Sequence, residues 1–169
     1  MIHLNPEQIA RIEYLATDKW VVDDNSADSA SRSWQNFQRV LDQMSSVELH
    51  HFASNFNWDC GVEELEAVID HPSCDAGTAL MIYWLRQPAT RYRMAARRKT
   101  LDESNDVVKL LRNIETKIEN NAFRSNMIAC DPTNIMGQPM TRGSDRDREV
   151  VPARMFEAIK GVAIVPHLC

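Results

Sequence analysis

Residues 71–85, HPSCDAGTALMIYWL, place a histidine, a cysteine, an aspartate and a threonine ahead of seven consecutive apolar residues. Cys74 could serve as a nucleophile, because a thiol at a helix N-terminus has a lowered pKa, with a base brought in from elsewhere in the chain. His71 and Cys74 also meet the H-x-x-C half of a zinc site, and His50, His51, Asp59 and Cys60 lie upstream. A zinc site needs a second pair at finger spacing or an H-E-x-x-H, and the sequence holds neither. Glu63, Glu66 and Asp70 share one helical face in VEELEAVID, but nothing apolar beside them would raise a carboxyl into the range for proton transfer. The sequence therefore assigns no catalytic residue, metal ligand or cofactor.

Packing and capping account for the same stretch. The Asp75 side chain is placed to accept from the free backbone N–H groups of a helix starting at Ala76, with its charge at the positive end of the helix dipole. Gly77 and Ala79 are small enough for another backbone to come close, and Ala79 to Leu85 is apolar on every side, as in a helix surrounded by others. A buried strand is the competing reading of that run. Trp58 and Trp84 belong in the core on this view.

The elements that must hold this stretch are also helical. Asn5 as N-cap, Pro6 at the first turn and Gln8 three residues on announce one helix, with Leu4 placed to staple onto Ile9. After the acidic loop VVDDNSADSAS, the residues Trp34, Phe37, Val40, Leu41 and Met44 recur at three and four. Ser45 and Glu48 make a capping box for VELHHFAS, with Met44 and Leu49 at the staple positions. Asn57, Asp59 and Gly61 give turn chemistry before VEELEAVID, which His71 and Pro72 close. RYRMAARRK is a short basic helix beyond Pro88. Thr100 and Glu103 make a further capping box, ahead of a strong periodicity through Val107, Leu110, Leu111, Ile114 and Ile118. Residues 131–149 read as a long exposed loop, and Pro152 starts a last short helix, ARMFEAIKG, before an apolar tail with Val162, Ile164, Val165 and Leu168. Strand signals are almost missing. The expectation is one all-α domain over residues 1–169, with six to eight helices, stacked helix pairs being one arrangement of them.

With 24 acidic against 19 basic residues the formal net charge is -5, which disfavours a nucleic-acid partner and favours a basic one. Arg86, Arg91, Arg93, Arg97, Arg98 and Lys99, with Tyr92 among them, make one basic segment whose counterpart is more readily an acidic face than a phosphate backbone. No run approaches the roughly 18 apolar residues of a membrane span, and the charged opening MIHLNPEQIARIEYL does not read as a signal peptide. A cytoplasmic setting follows, with Cys60, Cys74, Cys130 and Cys169 as free thiols.

The succession NWDCG, a helix, then HPSCDAGTALMIYW resembles a bacterial family catalogued as a domain of unknown function, number 4274, whose core reads N-W-D-x-G, a helix, then C-D-x-G-T-A-L-x-I-Y-W. These positions are Asn57, Trp58, Asp59 and Gly61, then Cys74, Asp75, Gly77, Thr78, Ala79, Leu80, Ile82, Tyr83 and Trp84. The resemblance covers about residues 45 to 88 and supplies no reaction. Families of this kind include small bacterial proteins encoded among toxin and immunity genes, which adds weight to a binding role. Two functions fit. One is a protein-binding module, most concretely an immunity or antitoxin-like protein that blocks a cognate toxin, steered to a basic toxin domain by Asp23, Asp24, Asp28, Glu63, Glu64 and Glu66. The other is a small enzyme using Cys74, Asp75, Asp59 or a nearby histidine.

Overall fold

The computed structural model describes residues 4–58, 61–97, 106–141 and 144–165. Eight α-helices and one 3-10 turn make up the regular structure of these residues: α1 (Pro6–Ala16), α2 (Ser29–Leu41), α3 (Ser46–Ser54), α4 (Glu63–Asp70), α5 (Ala76–Leu85), α6 (Pro88–Arg97), α7 (Asp106–Glu119), α8 (Asp145–Arg148) and η1 (Ala153–Phe156). Strand pairing among the described residues is limited to isolated bridges, so the chain is all-α.

Local chemistry explains where the first helices begin. Asn5 and Gln8 form a reciprocal capping box at α1, and Ser45 and Glu48 form one at α3. Each box satisfies backbone N–H groups that a helix start leaves without partners. The box expected from Thr100 and Glu103 lies outside the described residues. Gln87, in the left-handed region at φ 53°, turns the chain from the end of α5 into Pro88, the first residue of α6. At the other end of α4, Lys117 Nζ donates to the Ile69 carbonyl at 2.9 Å and to the Asp70 carboxylate at 2.6 Å, so a cation from α7 serves the negative pole of α4.

Packing runs through alternate helices. α1 lies on α3, α3 on α5 and α5 on α7, while α2 packs on α1, α4 on α3 and α7, and α6 on α7. In the middle of this row every residue of α5 from Gly77 to Trp84 is buried, as its unbroken apolar sequence requires. Aromatic rings extend the core on the α1–α3 side: Phe37 stacks with Trp34 and meets Trp20 and Phe52, and Phe52 meets Phe56. Such offset and edge-on pairs add to the stabilisation that burial provides.

Two expectations for the C-terminal third change in the structure. The helix foreseen over ARMFEAIKG is only the short turn η1, because the chain then extends to pair with residues 127–130. Cys130 and Ile159 exchange backbone hydrogen bonds at 3.0 and 2.8 Å, and Val162 N donates to Met127 O at 2.7 Å. Residues 131–149 are largely irregular, yet they carry α8, and Pro132, Ile135 and Thr141 are buried. Ile135 joins the core and Asp147 pairs with Arg93 of α6, while a backbone bond from Thr141 N to Pro132 O closes the stretch on itself. Cys74 and Cys130 are free and buried; Cys60 and Cys169 lie outside the described residues. Val162 and Val165 are exposed, and Leu168 is outside the described part.

The small residues of α5 admit a backbone, as their size suggested, and it is that of Ile128. A Cβ at Gly77 would stand 2.0 Å from the Ile128 carbonyl oxygen and 2.9 Å from its carbon. Replacing an exposed helical glycine by alanine stabilises a protein by up to about 1 kcal/mol. Gly77→Ala should do the reverse and cost at least about 2 kcal/mol in urea unfolding, because both clashing partners are backbone. A neutral or stabilising result would show that residues 127–129 do not sit against α5.

Candidate functional site

The chemistry-bearing residues of the α5 motif each reach a different part of the molecule. Asp75 is fully buried and caps the helix, its Oδ1 accepting from Gly77 N at 2.8 Å. The same carboxylate also holds a distant turn. Its Oδ2 accepts from the Ser125 hydroxyl at 2.5 Å and from Met127 N at 2.8 Å, and its Oδ1 accepts from Ile128 N at 3.3 Å. Beside it, Ala76 N donates to Ser125 O at 2.9 Å. Asp75 therefore closes two sets of unpaired backbone donors at once, where the sequence indicated one.

Cys74 next to it is buried, and its thiol lies 3.8 Å from the Asp75 carbonyl. Burial, reinforced by the Asp75 charge, pushes this thiol up to about 12, the opposite of the lowering that a helix N-terminus suggests on its own. Desolvation of a thiolate outweighs the partial charge of the helix end here. His50, on α3, bonds through Nδ1 to the Thr78 hydroxyl at 3.0 Å. Burial and the neighbouring His51 push it down to about 4, against the pull of Asp75, so the ring is neutral at physiological pH. His71 turns its Nδ1 back to accept from Ser73 N at 3.0 Å. No group of three or more His, Cys, Asp or Glu among the described residues is arranged to hold a metal ion.

The far end of the motif is equally engaged. The Tyr83 hydroxyl donates to Glu115 Oε1 at 2.6 Å, Tyr92 donates to the same oxygen at 2.7 Å, and Arg112 donates to Oε2 at 2.7 Å. Burial and this shared carboxylate raise both phenols well above their ordinary range. Trp84 donates from its indole to Met155 O at 2.8 Å and sits edge-on to Phe156. Arg86, only 4% exposed, donates to Trp58 O at 2.9 Å and Gly61 O at 2.8 Å, with its guanidinium over the rings of Phe56 and Trp58. This arginine joins the two blocks of the motif. Asn57 is exposed, Trp58 is half-buried and packed on the core, and Ala79 is buried in the core; Asp59 lies outside the described residues.

The other charged groups divide between packing and surface. Asp24 and Asp28 both pair with Arg32, and hydrogen bonds from Ser26 with that arginine hold Asp24 down to about 2. Asp23 and Glu63 are exposed, while Oε2 of Glu64 is enclosed and without a hydrogen-bond partner. Glu66 is shifted upward by burial and by Asp106 and Asp70, so the expectation that no α4 carboxyl is raised fails for it. Burial is the largest cause, and Asp106, which only the approach of α7 supplies, adds to it. In the basic segment, Arg86 belongs to the motif and Arg93 pairs with Asp147 of α8 at 2.6 Å; Arg98 and Lys99 lie outside the described residues.

Against the start of α5 opens a cavity of about 470 Å³. Its walls come from α5, from the end of α7, from residues 123–126, where Asp75 holds Ser125, and from Arg154 and residues 157–160 around Met155, Trp84's partner, with Arg124, Lys160 and the Arg154–Glu157 ion pair among the charged groups. No sequence signal pointed to it, since its residues come from α5, the end of α7 and two further segments far apart in the chain. A smaller space of about 230 Å³, lined by His71, Cys74 and Lys117, shares Phe123 and Arg124 with it.

Residues 44–119 match the model of a family described as a domain of unknown function (DUF4274), and this segment, α3 through α7, is a DUF4274 domain. It extends the resemblance read from residues 45 to 88 through the helix that carries Glu115. No curated protein and no solved structure matches the chain.

Two outcomes follow from this geometry. Asp75→Ala should cost about 4 kcal/mol in chemical denaturation, because it strips a buried charged acceptor from four donors. A loss inside the roughly 0.5 to 2 kcal/mol of an ordinary N-cap would mean that residues 125–128 hold themselves. His50 is neutral when folded, whereas its unfolded ring protonates near 6.5. Between there and about 4 the unfolded chain binds more protons, so stability is full above 6.5 and falls as pH drops, by up to about 3 kcal/mol. Unfolding curves across this window should be flatter for His50→Gln than for the parent, and parallel curves would sink the assignment.

Proposed function

We propose that this chain works by stoichiometric binding to another protein, in its most concrete form as an immunity-like protein that blocks a cognate bacterial toxin. The observation that carries the reading is the internal use of every described group in the motif that could do chemistry. Asp75 is saturated by four donors, Cys74 is held as a thiol far above neutral pH, and His50 is neutral and bonded to Thr78. A nucleophile, base or acid must reach a substrate, whereas Asp75 and His50 are enclosed by protein and Cys74, on the wall of the space of about 230 Å³, is buried and held protonated. The enzyme reading through Cys74, Asp75 or a nearby histidine loses support accordingly.

The surface supports a basic partner. The chain carries a net charge of -5, and the acidic α1–α2 connection starts beside α4, since Asp18, Trp20 and Glu64 border one small cavity. Asp23 and Glu63 are exposed and unpaired among the described residues, which suits them to steering, with Asp24, Asp28 and Glu66 adding to the field. A rigid helical body covering a toxin's basic cleft would bury about 1,200 to 2,000 Å² in total. The free thiols Cys74 and Cys130 suit a reducing compartment, and we place the protein in the cytoplasm. No described helix is long and apolar enough to cross a membrane.

The test couples capture to protection. A partner recovered with the tagged protein from its native host should arrest growth when expressed alone, and co-expression should restore it. Association should slow as salt rises, and an Asp23→Lys, Glu63→Lys double variant should bind at least about tenfold more slowly at low salt. A protein that purifies alone at native levels and turns over a small molecule, with turnover abolished by Cys74→Ser or Asp59→Asn, would overturn the binding reading.

A further inference from the structure

We infer that the cavity at the start of α5 is a binding site for a small organic anion, one with a carboxylate or phosphate head and an apolar body. The inference stands apart from the protein-binding reading, because it concerns different residues and needs no partner protein.

Charge is the first argument. In a chain of net charge -5, the wall of this cavity is positive. Arg154 is neutralised by Glu157 through an ion pair, but Arg124 and Lys160 have no carboxylate within ion-pair reach among the described residues. Two cations brought to one concavity from segments far apart in sequence, neither with a carboxylate in ion-pair reach, give it a positive potential that favours an anion. A guanidinium offers a planar fork of donors that matches a carboxylate or phosphate, and the lysine adds a mobile point charge.

Shape is the second. The cavity measures about 470 Å³, within the range of small-molecule sites and concave rather than flat. Leu80, Ile118 and Phe123 line it beside the cations, so it joins an apolar floor to a charged rim. An inorganic ion would leave the floor against water, and a neutral apolar molecule would leave the cations unmatched. An organic anion satisfies both.

Support for the site is the third. The Ser125 hydroxyl and the backbone of Met127 and Ile128 are fixed by the buried Asp75 carboxylate, and residues 159–162 are paired to residues 127–130. Both segments that carry the free cations are thus tied to the core, which lowers the ordering that a ligand would have to impose.

The test uses the purified chain alone, at fixed ionic strength, with phenyl phosphate, phenylacetate, inorganic phosphate and benzyl alcohol as probes. A ligand that binds only the folded state raises the unfolding temperature. Phenyl phosphate or phenylacetate should raise it saturably by about 3 °C or more at millimolar concentration, the tighter of the two identifying the head group. Inorganic phosphate should act more weakly, and benzyl alcohol should have no saturable effect. An Arg124→Gln, Lys160→Gln double variant should unfold near the parent temperature, since both side chains are exposed, while its affinity for the aromatic anion falls at least about tenfold. Arg91→Gln, outside the cavity, should bind as the parent does. The inference fails if neither aromatic anion binds saturably, if benzyl alcohol binds as well as they do, or if the Arg124, Lys160 variant keeps the parent's affinity.

Discussion

A carboxylate removed from water must find protein donors for its lone pairs, and the fold is arranged around one such group, Asp75. Its oxygens take the N–H of Gly77 in the first turn of α5, the Ser125 hydroxyl and the N–H groups of Met127 and Ile128. An unpaired charge in that position would cost several kcal/mol, so the chain after α7 has to come back to the start of α5. That return brings Ile128 onto the bare surface of Gly77. It also sets the strand-like pairing with residues 159–162 and leaves the cationic cavity between the two segments. One buried charge thus fixes the course of the C-terminal third, which has little helix of its own to guide it.

The same logic repeats along α5. A helix buried on all sides gains from apolar contact but has no preferred rotation or height, because hydrophobic contact is not directional. Its few polar groups supply the direction. Thr78 meets His50 of α3, Tyr83 meets Glu115 of α7, and Trp84 meets the carbonyl of Met155. Just past the helix end, Arg86 grips Trp58 and Gly61. Each bond removes a wrong packing of an otherwise featureless cylinder, since a slip of one residue would strand a buried donor or acceptor. Glu48 has a similar double role: it closes the α3 capping box and accepts Arg11 and Gln8 from α1.

These bonds also relate the family segment to the rest of the chain. Residues 44–119 hold three side chains whose partners lie beyond the ends of that segment: Glu48 bonds Arg11, Asp75 bonds Ser125, Met127 and Ile128, and Trp84 bonds Met155. The flanking parts are therefore bound to residues of this segment, the C-terminal one to the motif itself. Internal use of these groups leaves the exposed acids and the cavity cations as the places where the protein can meet something else, and Asp75 supports the second of these from within.

How much of this was legible in the sequence depends on distance along the chain. The caps at Asn5, Ser45 and Asp75, the uniform burial of α5 and the helical class follow from residues one to four positions apart, whose geometry a helix fixes in advance. The all-apolar run of α5 even announced a neighbour on every side, and the small residues a close backbone. Which backbone was not written there. The second duty of Asp75, the raised thiol of Cys74, the lowered His50 and the raised Glu66 depend on desolvation and on charges such as Asp106 that arrive from other elements. The last helix expected after Pro152 failed for the same reason, since pairing with residues 127–130 outcompeted a weak local preference. The Arg124–Lys160 cavity had no local signature at all: burial and electrostatic environment are set by atoms remote in sequence, and only the tertiary structure brings those atoms together.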